Sequence, residues 1–497
     1  MTPALLALFA LTQVMYLLST VCEIYIRSRP VDWVDMEDTP PAQNGAYPRI
    51  VLLYPVLREL EETMRTTMSA LVKIHYPADR FRIIAIPNMS DTATVEILRR
   101  MQDDYPFLEM LEVPPTSDPS WEPVWRAWDA NQKAYWWHRT RRAHDRDLPP
   151  KKTRQLIYSF YTLVEREPEG DWLLNYIDAD SVPPPDHFLA GAIGMRRFDV
   201  LQSTNIAGNL LDTWPASWHA MDHMSWDGHR YPHLSARGTH PFWLLGKGLF
   251  YKASDLVEVG GFNPWITIED PEVGMRLWAN GKRLGIIEAP LIEEVPRTIR
   301  GGITQRKRWV CGFFQSLTAP PRYIGMTFSQ RLRAWSNFLP CLILVVNPIG
   351  IPVGVWVLIE TINGHGQVPK VLLGLGLFNI VFFAASLVRI YYATWRRTTL
   401  VLDRTRDRLR YMFRVNPLFL FAFWLLWAVP LVLGFEMYLR DKGQVWERTE
   451  KVDANHDLVM ALNEQAHVTA AVEWVPPSLP QLDGAQPAIE AGIESPG

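Results

Sequence analysis

Two aspartates, Asp178 and Asp180, follow an uncharged run over residues 172–177 and are well suited to hold a cation. Carboxylate oxygens are ligands that Mg2+ and Mn2+ prefer, and a D-x-D pair at the end of an apolar strand presents two of them together. A second pair, Asp145 and Asp147, lies within a run of charged residues, where we expect a solvated loop. The sequence therefore predicts a divalent cation site at Asp178 and Asp180.

A later carboxylate, Asp270, has the surroundings of a general base. It follows Glu269 and the turn sequence at residues 260–264, and a helical pattern continues over residues 272–278. A base at the start of a helix can be directed into a cleft, where it takes a proton from an attacking hydroxyl. The alternative is that Glu269 and Asp270 only cap this helix, as acidic residues commonly do.

A third motif combines an amide, an arginine and an aromatic ring. Gln305, Arg308 and Trp309 are spaced i, i+3 and i+4, so they share one face of a helix. The arginine can pair with a phosphate and the indole can contact a sugar. The alternative is a basic amphipathic helix on the membrane surface, to which Arg306, Lys307 and Arg308 contribute charge alone.

Together these groups fit the transfer of a sugar from a nucleotide diphosphate to a hydroxyl. The pyrophosphate leaving group needs a cation, and the attacking hydroxyl needs a base. Other classes are disfavoured, because a net charge of -3 gives no reason to expect a nucleic-acid partner. The cysteines also lack the spacing of a zinc site or a disulfide framework: Cys22, Cys311 and Cys341.

Elements that can position these residues recur through the first part of the chain. Short apolar runs with turn signals predict buried parallel strands, and a helical pattern lies between some of them. Strands are predicted at residues 49–55, 81–86, 107–113 and 172–177, with a helix at 92–103. This alternation predicts an open α/β sheet, in which ligands bind outside the carboxyl ends of the strands.

Four uncharged stretches have the length of membrane spans, for which about 20 apolar residues suffice. They are residues 2–22, 334–359, 371–388 and 415–435. Basic residues follow the first stretch, and the loop at 396–414 is rich in arginine, which favours the cytosolic side. We expect a multi-pass protein of the bacterial inner membrane with residues 30–330 in the cytosol. A signal peptide at 2–22 is disfavoured, because it has neither a basic start nor an A-x-A-like cleavage site.

Two features near the C-terminus need separate treatment. The stretch at 415–435 has basic residues on both sides, and Pro417 and Pro430 interrupt it, so we expect a bent, re-entrant element. Residues 453–497 contain no lysine or arginine and are rich in acidic residues, proline and alanine. Because such a segment buries little apolar surface, we expect a disordered acidic tail.

The segment at residues 114–150 interrupts the strand and helix pattern with tryptophans among arginines. It is either an insertion that contacts an acceptor or the membrane surface, or a helical insertion that packs its own tryptophans. The tryptophans concerned are Trp121, Trp125, Trp128, Trp136 and Trp137.

The ordered motifs resemble those of the membrane-integrated, inverting family 2 glycosyltransferases, which include bacterial cellulose synthase and hyaluronan synthase. The similarity covers about residues 48–318 and extends to the sequence at 446–451. It rests on Pro55 and Glu59, Asp178 and Asp180, Gly260-Gly261-Phe262, Ile268-Glu269-Asp270, and Gln305, Arg308 and Trp309.

The resemblance implies a division of the chain. A transmembrane helix at 1–26 precedes a GT-A glycosyltransferase domain with a Rossmann-like α/β fold at 46–300. Interfacial helices follow at 301–333, membrane segments at 334–440, and the acidic tail at 453–497. It also implies a UDP-sugar donor, Mg2+ or Mn2+, inversion at the anomeric carbon, and repeated addition to a β-linked polysaccharide.

Roles carried over by position divide into donor and acceptor groups. Asp180 is the expected metal ligand, with Asp178 beside the donor, and Asp270 is the expected base. Further donor contacts are implied for Glu59, Asn88, Asp91, Lys152 and Arg154. For Lys152 and Arg154, surface charge ahead of a helix is the alternative. The diphosphate and acceptor end are assigned to Gln305, Arg308, Trp309 and Glu269.

Some positions depart from the family pattern. Pro87 and Asn88 replace a pair of aspartates that contacts uracil, which weakens the case for uridine as the nucleoside, while Arg58 replaces Asn and Ile268 replaces Thr. Two other functions stay open: addition of a single sugar to a lipid or short glycan, and a nucleotide-binding subunit of a membrane transport or assembly system. With few membrane helices, a polymer channel would need self-association or an accessory subunit.

Overall fold

We describe the fold from a computed structural model of the chain. It describes residues 2–38, 46–131, 146–167, 171–227, 230–235, 238–246, 248–320, 324–365, 367–440 and 451–469, with side chains to residue 464.

A seven-stranded sheet forms the centre of the α/β domain, with strand order β3-β2-β1-β4-β6-β5-β7. All paired strands are parallel except β6, which runs antiparallel to both β4 and β5. The strands are β1 Ile50–Tyr54, β2 Phe81–Ala85, β3 Leu108–Met110, β4 Leu173–Tyr176, β5 Val200–Ala207, β6 Leu249–Lys252 and β7 Leu284–Glu293.

The helices that surround this sheet and continue beyond it are, in chain order, α1 Pro3–Arg27, α2 Glu61–Leu71, α3 Thr92–Asp104, α4 Glu122–Ala130, α5 Lys152–Arg166, α6 His187–Gly194, α7 Trp214–Asp227, α8 Ala253–Glu258, α9 Asp270–Ala279, α10 Ile299–Thr318, α11 Phe328–Ile362, α12 Lys370–Arg397, α13 Thr405–Arg414, α14 Pro417–Leu426, α15 Ala428–Leu439 and α16 His456–Thr469.

Strand β1 shows why the apolar runs form a central sheet. All five of its residues are buried, and successive side chains point to opposite faces. Val51 and Leu53 join one apolar core, whereas Ile50 and Leu52 join the core on the other face. The predicted α/β class is confirmed, and the four predicted strands and the helix at 92–103 are all present.

Within the described residues, four helical segments are long and apolar enough to cross a membrane: Pro3–Arg27, Phe328–Ile362, Lys370–Leu400 and Pro417–Leu439. They coincide with the four predicted stretches. The last is interrupted at Trp427, three residues before Pro430. A proline lacks the N–H that would bond to the carbonyl four residues earlier, which accounts for a break there. Its re-entrant course stays a prediction.

The tryptophan-rich segment packs against the domain where the structure describes it. Trp121, Trp125 and Trp128 are buried around α4, where Trp121 stacks on Trp125 and Trp128 meets Trp125 edge to face. This arrangement matches the second alternative, an insertion that packs its own tryptophans. Trp136 and Trp137 lie outside the described residues.

The prediction of a disordered tail from residue 453 is wrong for its first part. Residues 456–469 form α16, which packs against α2 and buries Val459. Asp453 accepts a hydrogen bond from Thr66 (3.1 Å), and Asn463 donates to Ser69 (3.1 Å). The composition argument considered the segment alone, whereas the helix is stabilised by a surface of another element. Residues 470–497 lie outside the described residues.

Candidate active site

The D-x-D turn after β4 is held by hydrogen bonds to its middle residue. Tyr54 and Thr67 both donate to the carbonyl oxygen of Ala179, at 2.7 Å and 2.9 Å. Their donors fix the backbone between Asp178 and Asp180, at the carboxyl end of the sheet where the sequence predicts a ligand site. Asp178 remains half exposed, whereas only 13% of the Asp180 side chain is accessible.

Lys152, at the start of α5, links the two acidic motifs. Its Nζ lies 2.7 Å from Asp178 Oδ1 and 3.1 Å from Glu269 Oε1. Burial alone would lower the pKa of Lys152, but the carboxylates of Asp178, Glu269 and Asp270 raise it well above the ordinary lysine value. The alternative of simple surface charge is therefore wrong for Lys152, whose side chain is only 16% accessible and is paired with two carboxylates of the site.

Asp180 has a different cationic partner, Lys451, from the far end of the chain. The Lys451 ammonium contacts Asp180 Oδ2 and also donates to the carbonyl of Glu294 at 3.1 Å. The Glu294 carboxylate in turn accepts the backbone N–H groups of Val452 and Ala454, both at 3.1 Å. Residues 451–454 are thus fastened beside the predicted metal ligand.

Asp270 is the first residue of α9 and is buried. The hydroxyl of Tyr176, the last residue of β4, donates to Asp270 Oδ1. Burial raises the pKa of Asp270 above the ordinary aspartate value, and the Lys152 ammonium opposes that rise. A carboxylate with a raised pKa is a stronger base than an exposed one, which suits proton abstraction near neutral pH.

Gly246 forms part of the wall beside Asp270. Its φ of +69° is a conformation that favours glycine, and a Cβ at this position would lie 2.8 Å from Asp270 Oδ2. Any side chain there would press on the carboxylate. The sequence gives no separate signal for this role.

Asn88 and Arg154 form a buried pair after β2. Asn88 Oδ1 accepts from both Nε (3.1 Å) and Nη2 (2.5 Å) of Arg154. Both side chains are almost inaccessible, so Arg154 is not surface charge either. Its role at the donor phosphates stays a prediction.

Glu59 lies in the loop that follows β1, and Asp91, which follows β2, is hydrogen-bonded to that loop. Asp91 Oδ2 accepts the backbone N–H of Arg58 (3.1 Å) and the hydroxyl of Thr94 (2.7 Å). Arg58 has a φ of +56°, a conformation that asparagine adopts more readily. Glu59 is close enough to help raise the pKa of Lys451. The donor contacts of Asp91 and Glu59 stay predictions.

Helix α10 carries the Gln/Arg/Trp motif and is fastened to the segment before Asp270. Gln315 accepts the backbone N–H of Thr267 at 2.8 Å, and a Cβ at Gly312 would lie 2.2 Å from Ile268. This close packing brings Trp309 to the same cavity as Asp270. Gln305 lies on the same helix and Arg308 is buried there, and their phosphate and acceptor roles stay predictions.

A cavity of about 110 Å3 is lined by Asp270 and Trp309 and by residues of the long apolar helices α11 and α15. Its wall is largely aromatic and aliphatic and is formed by residues of α7, α9, α10, α11 and α15, by Trp427 between α14 and α15, and by nearby loops. The lining residues are Asp222, His223, Trp226, Tyr231, Leu244, Leu245, Ile268, Asp270, Trp309, Val310, Phe313, Phe338, Cys341, Leu344, Trp427 and Leu431.

Sequence reasoning missed four polar residues of this region. Tyr176 ends a strand but its target is distant in sequence, and Lys451 and Glu294 are recognisable only from their contacts. Arg306 was considered only as membrane-surface charge, and that interpretation is wrong because Arg306 is buried against Asp222 at 2.8 Å. A strongly basic run ahead of an apolar segment gave no signal for such a pairing.

The sequence itself assigns the family. The family described as "Glycosyl transferase family group 2" matches residues 173–439, which is more than half of the chain. The matched range includes the D-x-D turn, Asp270 and the Gln/Arg/Trp motif. The protein therefore belongs to the family 2 glycosyltransferases, as its motifs predict.

Individual relatives are distant. Glucomannan 4-beta-mannosyltransferase 7 of Arabidopsis thaliana is 22% identical over 283 residues, which are 56% of this chain and 45% of the relative. The chain thus aligns with less than half the length of this curated relative.

Among solved structures, mannosyltransferase PcManGT of Pyrobaculum calidifontis, in complex with GDP-Man and Mn2+, is 16% identical, with a TM-score of 0.48 over 88% of this chain and 99% of the other. Residues 1–349 of S. aureus TarS with UDP-GlcNAc are 10% identical, with a TM-score of 0.34 over 82% of this chain and 95% of the other.

Proposed function

We propose that this protein transfers a sugar, with inversion, from a nucleotide diphosphate donor to a growing β-linked polysaccharide at the cytosolic side of a membrane. The observation that carries the proposal is the cavity that contains both Asp270 and Trp309 and continues between α10, α11 and α15. An acceptor held there has a base at its reacting end and a path toward the membrane helices at the other.

The donor end of the site is assigned to the D-x-D turn and its lysines. Asp178 and Asp180 offer the oxygen ligands that Mg2+ or Mn2+ requires, and the Lys451 ammonium already contacts Asp180. The two carboxylates would hold a divalent cation after the Lys451 ammonium leaves Asp180. Such a cation, when bound, neutralises charge on the departing diphosphate. Lys152 contributes a fixed positive charge on the same side.

The acceptor end uses Asp270 and the cavity wall. Asp270 takes the proton of the attacking hydroxyl, and Tyr176 holds the carboxylate in place through its hydrogen bond. A single base with direct attack on the anomeric carbon gives inversion. Aromatic rings in the wall suit the apolar faces of sugar rings, which supports a glycan over a free metabolite as acceptor.

The nucleobase is expected to be uracil from the family pattern, but Asn88 changes the polar groups available. Its Oδ1 already accepts two hydrogen bonds from Arg154, so the pair presents N–H donors where the pattern has carboxylates. GDP-sugars therefore belong in any donor test beside UDP-sugars.

Product length tests this function. Purified protein in detergent with Mg2+ or Mn2+, the accepted donor and a short β-linked oligosaccharide should yield a ladder of longer products. Products extended by one sugar only would contradict repeated addition and favour the single-transfer alternative. A wild-type protein that binds donor but never releases nucleoside diphosphate would instead favour the nucleotide-binding subunit.

A further inference from the structure

The buried ion pair between Asp222 of α7 and Arg306 of α10 lies directly against the cavity. Arg306 Nη2 is 2.8 Å from Asp222 Oδ2, and Nε is 3.2 Å from the same oxygen. Only 2% of the arginine and 3% of the aspartate side chain are accessible. The pair therefore lies wholly within the protein, although Asp222 forms part of the cavity wall.

A neutral histidine completes the hydrogen bonding of the arginine. Burial, with the nearby Arg306 charge, lowers the pKa of His219 to about 2. Its Nδ1 can then accept from Arg306 Nη1 at 2.6 Å while its Nε2 donates to the carbonyl of Thr298 at 3.2 Å. Gly302 leaves the space for this ring, since a Cβ there would lie 2.0 Å from His219 Cε1.

Three tryptophans of the cavity wall are attached to this one pair. Trp226 donates its indole N–H to Asp222 Oδ1 at 3.2 Å. The Arg306 guanidinium lies 4.7 Å from the ring centre of Trp427 and 6.0 Å from that of Trp309. The rings come from α7, from α10 and from the junction of α14 and α15, so one ion pair connects the catalytic domain to a membrane segment.

Stability alone is a weak reason for such a pair. Desolvation of two buried charges roughly offsets their attraction, and apolar residues of similar volume often serve as well or better. A requirement for fixed geometry at the cavity accounts for the arrangement, because the Asp222 carboxylate accepts from one indole and the Arg306 guanidinium lies near two others, contacts that apolar side chains cannot make.

We propose that Asp222 and Arg306 are positioning residues that fix Trp226, Trp309 and Trp427 around the glycan acceptor. This inference rests on the proposed function, because it takes the cavity to be the acceptor site. Neither residue touches the reacting atoms. Their loss should impair transfer to the glycan and leave the donor side of the site unchanged.

The test compares two reactions of the same protein. Asp222→Asn is assayed for transfer to soluble β-linked gluco- and manno-oligosaccharides, and for donor hydrolysis to water without any glycan. We expect the acceptor KM to rise on the order of tenfold to a hundredfold, as for small misplacements of a binding group, with donor hydrolysis unchanged. An unchanged acceptor KM, or a parallel loss of both reactions, would overturn the positioning role.

A second variant covers the case in which Asp222→Asn does not fold. That substitution leaves the buried Arg306 charge without a compensating carboxylate. Asp222→Leu combined with Arg306→Met removes both charges together, which preserves stability in comparable pairs. We expect it to fold and still to show the raised acceptor KM. A folded double variant with the wild-type acceptor KM would refute the proposal.

The matched control is another ion pair of equal burial. Arg276 and Glu272 are 2.8 Å apart with side chains 2% and 4% accessible, and neither lines the cavity. Glu272→Gln should lower thermal stability without raising the acceptor KM, and a similar KM rise would count against a specific role for Asp222. A wild-type protein that transfers to no glycan would overturn the proposed function and this inference with it.

Discussion

The carboxylates in the two halves of the candidate site, the D-x-D turn and the cavity at Asp270, have opposite surroundings. At the end of the sheet, Asp178 and Asp180 are each paired with a lysine, and Asp178 remains half exposed. At the cavity, Asp270 is buried among apolar groups beside Tyr176, and burial raises its pKa. In the first half, lysine ammonium groups compensate the charge of the carboxylates. In the second half, burial excludes water from the Asp270 carboxylate.

This difference matches two chemical tasks. A site for a cation and a diphosphate needs carboxylates that stay ionised and charges that can be exchanged. A general base needs a carboxylate whose affinity for protons is raised. Lys152 contacts Asp178 and acts on Asp270, so it links the two halves. The variants below affect one half of the site, the link between the halves, or neither half.

The largest effect is expected from Asp270→Asn, which keeps the shape of the side chain and removes the base. Turnover should fall by a factor of about 10² to 10⁴, while donor binding measured by calorimetry is retained. Asp255→Asn is the control, because Asp255 pairs with Lys282 at 2.5 Å and does not line the cavity. Substantial turnover in Asp270→Asn would mean that the base lies elsewhere.

Gly246→Ala should also reduce turnover, by about tenfold or more, because the new methyl group displaces the Asp270 carboxylate. Gly238→Ala separates this effect from backbone strain. Gly238 has the same φ of +69° as Gly246, but no atom of the described residues beyond its chain neighbours lies within 4 Å of its Cβ position. We expect similar stability losses but a turnover loss only at Gly246. Equal turnover in the two variants would contradict the contact.

The pH dependence of turnover should report on Asp270. The base is active when ionised, so turnover falls as the pH drops through its pKa, which burial places above the usual aspartate value. Lys152→Met removes the charge that opposes this rise, so the acid limb should move to higher pH. A limb that stays in place, or moves to lower pH, would contradict the link between the halves. Lys282→Met serves as the control cation.

A smaller effect is expected from Val459→Asp, which places a charge in the buried contact of α16 with the domain. Local destabilisation of about 1–3 kcal/mol should release α16 and loosen the Lys451 contact with Asp180. Hydrogen exchange over residues 451–464 should accelerate, and the donor KM should change while the acceptor KM does not. Exchange that stays as slow as in wild type would contradict the docking of α16.

The smallest effect concerns the loop after β1. Arg58→Asn places a residue that tolerates positive φ at a φ of +56°, and it should raise stability by up to about 1 kcal/mol in thermal unfolding. Kinetics of both halves should be unchanged. A lower melting temperature would show that the Arg58 side chain contributes more than its backbone conformation costs.

Sequence patterns predicted those parts of the molecule that depend on local order. The strands were evident because short apolar runs must be buried, and the position of Asp178 and Asp180 after β4 was evident because they end such a run, while their role stays a prediction. The place of Asp270 at the start of α9 was also predicted, and its role as base stays a prediction. In each case the informative residues are neighbours in the chain.

The missed contacts join residues that are far apart in sequence. Asp180 and Lys451 are 271 residues apart, and Asp222 and Arg306 are separated by 84. The helix at 456–469 was missed for the same reason, since it depends on the surface of α2. A local pattern carries no information about such partners, which tertiary packing alone defines.

The most direct test of the account is a donor screen on detergent-purified protein with Mg2+ or Mn2+. Nucleoside diphosphate release is followed for UDP- and GDP-sugars, with wild type and Asp270→Asn side by side. The account predicts release from a preferred donor that is lost in the Asp270→Asn variant. Release that is equal in the two proteins would contradict the assignment of Asp270, and no release from any donor would contradict the proposed transferase.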